Sequence, residues 1–241
     1  QRWLQGDMFD AVMNYQFTQA CLSFFGGDHI DFDLAEGMMG LRRTHPMKAE
    51  EFSRRSLELM TIYPNEFALA QMNLLDSHDM PRFLSLVKED KQRFLLATLF
   101  QMTYPGAPSI YYGDEIGLTG RKDPDCRKAF PWDENRWDKA LREQVRELAI
   151  LRSAIPALRT GDYIPLLAQE HLLVYLRRDK YDTVVVLINA GPHELKVDLP
   201  VQDYLADGTS LQDQIGDLEM IVDNGFLRQV SVPALTGIIL A

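Results

Sequence analysis

The sequence predicts an α/β domain followed by an all-β domain. Up to about residue 155, short apolar runs alternate with longer amphipathic ones, a pattern typical of β-α units around a parallel sheet. After Pro156 the apolar runs become short and β-branched, with turn sequences such as AGPH and ADGT between them, which indicates a small antiparallel sandwich or barrel. The predicted boundary separates residues 1–157 from residues 158–241.

Three β-α units are predicted in the first domain. The predicted strands are residues 9–15, 67–75 and 107–112. The predicted helices are residues 20–25, 49–63, 91–102 and 133–152. In the last of these helices apolar residues recur every three or four positions, which favours an amphipathic helix whose apolar stripe lies against a sheet. Pro64 ends the second helix because proline cannot continue one.

Composition excludes two classes of partner. The chain has 241 residues, of which 46% are hydrophobic, and a formal net charge of −10. Binding to phosphate groups requires a basic surface, so we expect no nucleic-acid partner and no anionic membrane partner. No apolar run reaches the ~18 residues that span a bilayer. Neutral ligands fit this charge better.

The cysteines and one Asp-rich segment favour no metal site. Cys21 and Cys126 are far apart and lack metal-like spacing, so we expect both to be reduced, which favours a cytoplasmic location. Residues 26–36, GGDHIDFDLAE, lack the spacing of a calcium loop. Asp33 followed by Glu36 resembles a capping box, so we predict a solvated loop that leads into a helix.

Each predicted strand of the first domain ends in polar residues. These are Asn14 with Tyr15, then Asp76, His78 and Asp79, then Asp114 with Glu115. The carboxyl ends of parallel strands meet at one rim, where α/β proteins place their chemistry. Asn14 and Asp114 could instead cap helices or form turns. Two adjacent ionisable groups, His78 and Asp79, are harder to explain by packing, yet this pattern alone leaves a functional and a structural role open.

The length of the first domain also leaves two architectures open. A closed (β/α)8 barrel needs about 250 residues. Residues 1–157 are too few for that. The first domain is therefore either an open sheet or one part of a barrel.

Four segments decide between these architectures, because together they resemble the α-amylase family of glycoside hydrolases. The segments are WLQGDMFDAVMNY (3–15), NLLDSHDMPR (73–82), YPGAPSIYYGDEIGL (104–118) and KDPDCRKAFPWDE (122–134). Within the family they are most similar to neopullulanases, cyclomaltodextrinases and maltogenic amylases. The resemblance implies that residues 1–157 form the C-terminal part of the (β/α)8 TIM barrel and that residues 158–241 form a C-terminal β-sandwich.

The resemblance also assigns roles to the His-Asp pair. The family cleaves α-glucosidic bonds with retention, using an Asp nucleophile, a Glu acid/base and a third carboxylate. The motif of the third carboxylate matches His78 and Asp79, which implies that Asp79 is catalytic and that His78 binds substrate. A fixed carboxylate can bond two sugar hydroxyls and oppose the positive charge that develops on the ring.

Three further residues are implied to bind substrate. Asp123 and Arg127 match a segment that faces donor-side sugars, and Tyr15 matches a tyrosine beside the acceptor site. An Asp-Arg ion pair within the loop, or a tyrosine packed in the core, would need no sugar, and these structural alternatives stay open. Arg82 is interpreted as support for the loop. No metal and no cofactor is expected.

The motifs for the nucleophile and the acid/base do not occur between Gln1 and Ala241. We therefore expect the chain to be part of an α-1,4-glucan hydrolase acting on maltooligosaccharides, cyclodextrins or pullulan, and to be inactive alone. The exposed edge of a partial barrel would favour a homodimer. Two alternatives stay open: a non-catalytic glycan-binding or interaction protein on an amylase framework, and a relative of the α-glucosidase type.

Overall fold

A computed structural model of the chain describes Leu4, residues 7–37 and residues 44–241. The beginning of the first family-like segment, including Trp3, lies outside the described residues. Up to Thr160 the described chain is mainly helical with two short strands, and from Asp162 onward it is antiparallel β-structure. Within the described ranges, no helix is both long and apolar enough to cross a membrane.

The first region contains short and long helices around a pair of strands. In chain order its elements are α1 (Tyr15–Cys21), α2 (Phe32–Ala35), α3 (Ala49–Thr61), α4 (Asn65–Ala70), β1 (Met72–Leu74), α5 (Phe83–Leu86), α6 (Lys91–Thr103), β2 (Ala107–Ser109), α7 (Lys139–Ala154) and α8 (Pro156–Thr160). The expected helices at 49–63 and 91–102 are therefore confirmed as α3 and α6, with ends shifted by one or two residues.

The strands of this region run in parallel, as the alternation of apolar runs predicts. Strand β1 pairs with β2 in the register Met72↔Ala107 and Leu74↔Ser109. On the other side of β1, Met13 forms a parallel bridge with Met72. The carboxyl ends of all three segments therefore lie at one edge, which is the edge where the polar residues were expected to gather.

The prediction of a strand at 9–15 is wrong except at the Met13 bridge. The helix begins at Tyr15, five residues earlier than expected, because Asn14 is its N-cap and the Asn14 side chain accepts a hydrogen bond from the Phe17 N–H. After Cys21 the helix continues as a wider turn to Gly26. A capping residue at the end of an apolar run therefore outweighed the strand pattern.

Two other predicted boundaries are wrong for related reasons. Residues 67–70 of the predicted strand 67–75 belong to α4, because Pro64 is placed where its missing N–H costs nothing and the following Ala and Leu favour a helix. The helix predicted from residue 133 begins at Lys139, since the Asp138 side chain caps it at the Leu141 N–H. The helix α2 is capped by Asp31, and the predicted capping box at Asp33 is absent.

The second region is an antiparallel β-domain, as predicted. Its strands are β3 (Asp162–Gln169), β4 (Leu172–Arg178), β5 (Thr183–Asn189), β6 (Leu195–Pro200), β7 (Ser210–Gln212), β8 (Glu219–Ile221), β9 (Phe226–Val232) and β10 (Thr236–Leu240). Four of them form a sheet in the order β10-β5-β4-β3, while β6 pairs with β9 and β7 with β8. The boundary at 157/158 stays a prediction; helix α8 spans it.

The central strands β4 and β5 of the four-stranded sheet are buried on both faces, which explains their continuous apolar sequence. Along β4, Leu173 and Tyr175 pack into the core that contains the helices, whereas Val174 and Leu176 pack into a second core with residues of β6 and β9. Alternate side chains of a strand point to opposite faces, so a strand between two layers needs apolar residues at every position. The run TVVVLIN of β5 meets this requirement.

Two buried arginines join the β-domain to the helices. Arg177 of β4 donates hydrogen bonds to the carbonyls of Thr103 and Leu158, and Arg152 of α7 donates to those of Met102, Tyr104 and Leu158. Burial lowers the pKa of both arginines to about 10, so both stay charged at neutral pH. Cations at the end of α6 satisfy carbonyls that have no partner within the helix and oppose the negative end of its dipole.

We expect Arg177→Ala to destabilise the protein by about 3 kcal/mol or more, because several buried carbonyls would lose a charged donor. The matched control is Arg178→Ala, the next residue of β4, whose side chain is only half-buried and lies over the Tyr204 ring. The control should cost less than about 1 kcal/mol. Denaturant unfolding of the two variants measures the difference, and equal losses would contradict this role of Arg177.

Candidate functional site

A closed loop at the end of β1 carries the His-Asp pair. The loop spans residues 77–82, and the Asp76 Oδ2 atom accepts a hydrogen bond of 2.5 Å from the Phe83 N–H. This bond joins the residue before the loop to the first residue of α5. The backbone N–H of Arg82 also donates to the Gly120 carbonyl at 2.9 Å. Both ends of the loop are therefore fixed.

Asp79 lies within this loop and is held on two sides. The Tyr15 hydroxyl donates to Asp79 Oδ2 at 2.9 Å. The His78 Nε2 atom lies 3.2 Å from Asp79 Oδ1, and the Arg127 Nη2 atom lies 4.0 Å from the same oxygen. The Asp79 side chain nevertheless keeps 38% of its surface exposed. The carboxylate is therefore oriented by its neighbours and remains accessible to a ligand.

Ser77 is a site residue that the sequence interpretation missed. Its hydroxyl oxygen accepts a hydrogen bond of 3.1 Å from the Asp79 N–H and lies 3.1 Å from the Tyr15 hydroxyl. Serine two residues before the atom it bonds is a common local turn pattern, and this spacing in DSHD is the signal that could have revealed it. Burial is the main cause that raises the pKa of Tyr15, so its hydroxyl is a neutral donor at neutral pH.

Arg127 connects the predicted residue Asp123 to the loop. The Arg127 Nε–H group donates to the His78 carbonyl at 2.9 Å, and Asp123 Oδ1 lies 2.9 Å from the same nitrogen in an ion pair. The Asp-Arg ion pair of the structural alternative is thus present, while both side chains stay at least half exposed. The structure therefore brings Tyr15, His78, Asp79 and Arg127 together directly, and Asp123 through Arg127.

A buried group supports the loop from below. The Arg82 side chain is fully buried, and its Nη1 atom donates to Asp114 Oδ1 and to the Tyr112 carbonyl, at 2.8 Å each. Its guanidinium carbon lies 4.4 Å from the centre of the Tyr111 ring. These contacts agree with the interpretation of Arg82 as loop support. They also place Asp114 in the interior, away from any ligand.

The other polar strand ends have local structural roles. Asn14 caps α1, and its side-chain amide donates to Asn73 Oδ1 at 2.9 Å. Glu115 accepts a hydrogen bond of 2.8 Å from the Gly113 N–H. The alternative in which Asn14 and Asp114 form caps or turns therefore describes Asn14 correctly, whereas Asp114 is structural as the buried partner of Arg82.

The site offers no metal-binding geometry in the part of the chain that the structure describes, where no three His, Cys, Asp or Glu side chains are grouped as ligands. Cys21 and Cys126 are buried free thiols, as predicted, and burial raises the pKa of both. The Cys126 thiol donates a hydrogen bond of 3.6 Å to the His78 carbonyl, which also accepts from Arg127.

The fold and the site together define a class of protein. Parallel β-α units with carboxylates at the carboxyl ends of the strands are the arrangement of (β/α)8-barrel enzymes. Residues 1–160 match the family model "Alpha amylase, catalytic domain", and residues 163–236 match "Neopullulanase-like, C-terminal domain". The chain therefore belongs to the α-amylase family, which confirms the resemblance seen in its sequence.

Individual relatives agree with this assignment. A cyclomaltodextrinase of Geobacillus thermopakistaniensis (strain MAS1) is 40% identical over 201 residues, which cover 83% of this chain and 31% of that protein. Neopullulanase 2 of Thermoactinomyces vulgaris is 38% identical over 189 residues, 78% of this chain and 29% of that protein. The crystal structure of Ttha1563 from Thermus thermophilus superimposes with a TM-score of 0.91 at 40% identity, covering 99% of this chain and 49% of that chain.

The cyclomaltodextrinase and the neopullulanase are glycoside hydrolases by name. The relatives also support the predicted combination of a barrel portion with an antiparallel β-domain. The chain spans about a third of the length of the cyclomaltodextrinase and the neopullulanase, 31% and 29%. The activity of the whole enzyme is therefore proposed for this chain and is not shown by these relatives.

Gly120 lies close to the backbone of the segment that carries Arg127. A Cβ atom at Gly120 would lie 2.7 Å from the Cys126 Cα atom and 2.9 Å from the Asp125 carbonyl oxygen. Because backbone atoms cannot yield as a side chain can, we expect Gly120→Ala to push this segment outward and to cost roughly 1–3 kcal/mol. Thr119→Ala, at the preceding residue, is the control and should cost less. Thermal unfolding of both variants measures the effect; a Gly120→Ala variant as stable as the parent would refute the close approach.

Proposed function

We propose that the polypeptide carrying this chain is a retaining α-glucan hydrolase in which Asp79 stabilises the transition state. The observation that carries this proposal is the accessible Asp79 carboxylate, held between Tyr15 on one oxygen and His78 and Arg127 on the other. Breaking a glycosidic bond gives the sugar ring oxocarbenium character. A carboxylate that is oriented beforehand opposes this charge without having to reorganise.

The contacts of Asp79 suit this electrostatic role. Oδ2 is bonded by a neutral hydroxyl, that of Tyr15, and Arg127 approaches Oδ1 only to 4.0 Å. The carboxylate is therefore oriented without being fully neutralised by a close ion pair. Fixed negative charge of this kind interacts more strongly with a cationic ring than with the neutral sugar, which is the condition for lowering the barrier.

We propose that His78, Arg127, Asp123 and Tyr15 bind the sugar around Asp79. The Arg127 side chain is half exposed, and its Nε–H donates to the His78 carbonyl beside Asp123, so its Nη donors can face a ligand. A planar guanidinium and a carboxylate side by side can bond neighbouring hydroxyls of one sugar. The Tyr15 ring offers an apolar face beside them.

The bond-breaking residues are proposed to lie elsewhere in the full polypeptide. Retention requires a nucleophile and an acid/base in addition to Asp79. Glu36, Glu50, Glu51, Glu66 and Glu115 match neither family motif. Asp79 therefore supplies one of three carboxylates, and turnover requires the other two.

Maltooligosaccharides, cyclodextrins and pullulan-type glucans are the substrates we propose. Support comes from the names of the relatives, a cyclomaltodextrinase and a neopullulanase, and from the net charge of −10, which disfavours anionic polymers. The buried thiols of Cys21 and Cys126 favour a cytoplasmic location. The exposed Met8, Phe9 and Val12 beside β1 favour a homodimer if no other part of the polypeptide covers them.

Asp79→Asn in the full polypeptide should lower kcat for α-1,4-glucan hydrolysis by about 10²–10³-fold, because the amide keeps the shape of the side chain and removes its charge. The matched control is Asp203→Asn, which removes the same charge from an exposed position in the β-domain. Steady-state kinetics with a maltooligosaccharide measures both variants. Normal turnover by Asp79→Asn would contradict the proposal, and maltooligosaccharide binding without any turnover by the parent would indicate the non-catalytic alternative.

The substrate class can be tested separately. We expect the full polypeptide to release glucose and maltose from cyclodextrin and to leave isomaltose largely intact, because the proposed activity is specific for internal α-1,4 bonds. Chromatographic product analysis after equal exposure to the two sugars measures the preference. Faster cleavage of isomaltose would favour the α-glucosidase alternative.

A further inference from the structure

Two acids and one base share a buried space beneath the loop that carries Asp79. The exposed fractions of Asp76, Asp114 and Arg82 are 2%, 6% and 0%. If both carboxyl groups were ionised, this space would hold an uncompensated negative charge, which is strongly unfavourable away from water. The residues of α6 and α7 that line the small cavity beside Asp114 are Phe94, Thr98, Gln101 and Val145, all uncharged.

The hydrogen bonds show where a proton is missing. Asp76 Oδ2 accepts from the Phe83 N–H, and Asp114 Oδ1 accepts from Arg82. Among the described residues the buried Asp76 Oδ1 atom has no donor, and the buried Nε and Nη2 atoms of Arg82 have no acceptor, so Arg82 does not satisfy Asp76 Oδ1. The carboxyl groups of Asp76 and Asp114 nevertheless lie within hydrogen-bonding contact. A proton on Asp114 would supply the donor that Asp76 Oδ1 lacks.

We propose that Asp76 and Asp114 share one proton and that this pair, with Arg82, is a positioning device for the loop that carries Asp79. The proton makes the buried group neutral: one carboxylate balances Arg82, and the other carboxyl is an uncharged donor. Asp76 then keeps the Phe83 N–H bond that closes the loop. The positioning role rests on the proposed function, whereas the shared proton does not.

The raised pKa values of Asp114 and Asp76 agree with a proton shared between them. Burial raises the pKa of Asp114 well above its ordinary value, and the nearby Asp76 carboxylate raises it further, while Arg82 opposes both effects. Burial also raises the pKa of Asp76. Among the described residues, Arg82 is the cation that acts on both acids, and the Tyr111 and Tyr112 rings stack on its guanidinium. The two carboxyl groups therefore titrate as one unit.

The proton links stability to pH with a definite sign. The unfolded chain releases an aspartic proton near pH 4, whereas the folded pair retains one to higher pH. Folding therefore binds a proton, and this contribution to stability is lost as the pH rises from the ordinary carboxyl range through the raised pKa. Asp114→Asn removes this dependence, because the amide donates to Asp76 and accepts from Arg82 without a titratable proton.

The experiment compares Asp114→Asn with Asp114→Ala in the full polypeptide. The infrared difference spectrum of the parent minus Asp114→Asn at pH 7 should show the C=O band of a protonated carboxylic acid, which separates this carboxyl from any other protonated acid in the full polypeptide. The unfolding temperature of the parent should fall with rising pH more steeply than that of Asp114→Asn. Hydrogen exchange of the segment 76–86 should be faster in Asp114→Ala and close to the parent in Asp114→Asn. Turnover of a maltooligosaccharide should fall about 100-fold in Asp114→Ala and only a few-fold in Asp114→Asn.

Several outcomes would overturn the proposal. Absence of that band from the infrared difference spectrum would mean that no proton is shared. Equal damage by Asn and Ala would mean that the pair acts by its charge or shape alone. If Asp114→Ala does not fold, the infrared band and the pH slope of Asp114→Asn still decide the matter. If the band is present and the loop is protected but the parent shows no turnover, the proposed function is wrong and the shared proton is still supported.

Discussion

The site depends on the bond between the Asp76 carboxylate and the Phe83 N–H, which closes the loop at the end of β1. A second contact fixes the same loop: Arg82 at its end donates to Asp114, which follows β2, the strand parallel to β1. With the loop closed, the short segment between these residues has little freedom, and Asp79 meets Tyr15 from α1. The strands are short, so the buried ionic group of Asp76, Asp114 and Arg82 gives the loop rigidity that a longer sheet would otherwise provide.

Environment, more than residue type, separates the roles of the neighbouring aspartates. Asp79 is partly exposed and bonded by a neutral hydroxyl, so it suits the stabilisation of a passing positive charge. Asp76 and Asp114 are buried with one arginine, so a shared proton costs less than a second charge. Asp123 is exposed and paired with Arg127, which leaves it free to contact a ligand. The same residue type, aspartate, therefore has three different roles at one edge of the fold.

The sequence could predict the order of elements and the grouping of the site, and it failed where local caps and burial decide. The long helices α3 and α6 follow from their apolar period, and the residues around Asp79 follow from segments shared with the family. The strand predicted at 9–15 was lost to the cap at Asn14, which no apolar pattern reveals. The shared proton of Asp76 and Asp114 needs the depth of both side chains and a count of donors, neither of which a sequence contains.

In the proposed mechanism, Asp79 is held in place to face a sugar that becomes cationic. The most direct measurement is calorimetric binding of two ligands of similar shape, a neutral maltooligosaccharide and an iminosugar derivative that carries a positive charge at the ring. In the full polypeptide, replacing the Asp79 carboxylate by its amide should weaken binding of the cationic ligand by about 10²-fold and that of the neutral ligand by less than about tenfold. Equal weakening of the binding of both ligands would contradict this electrostatic role of Asp79.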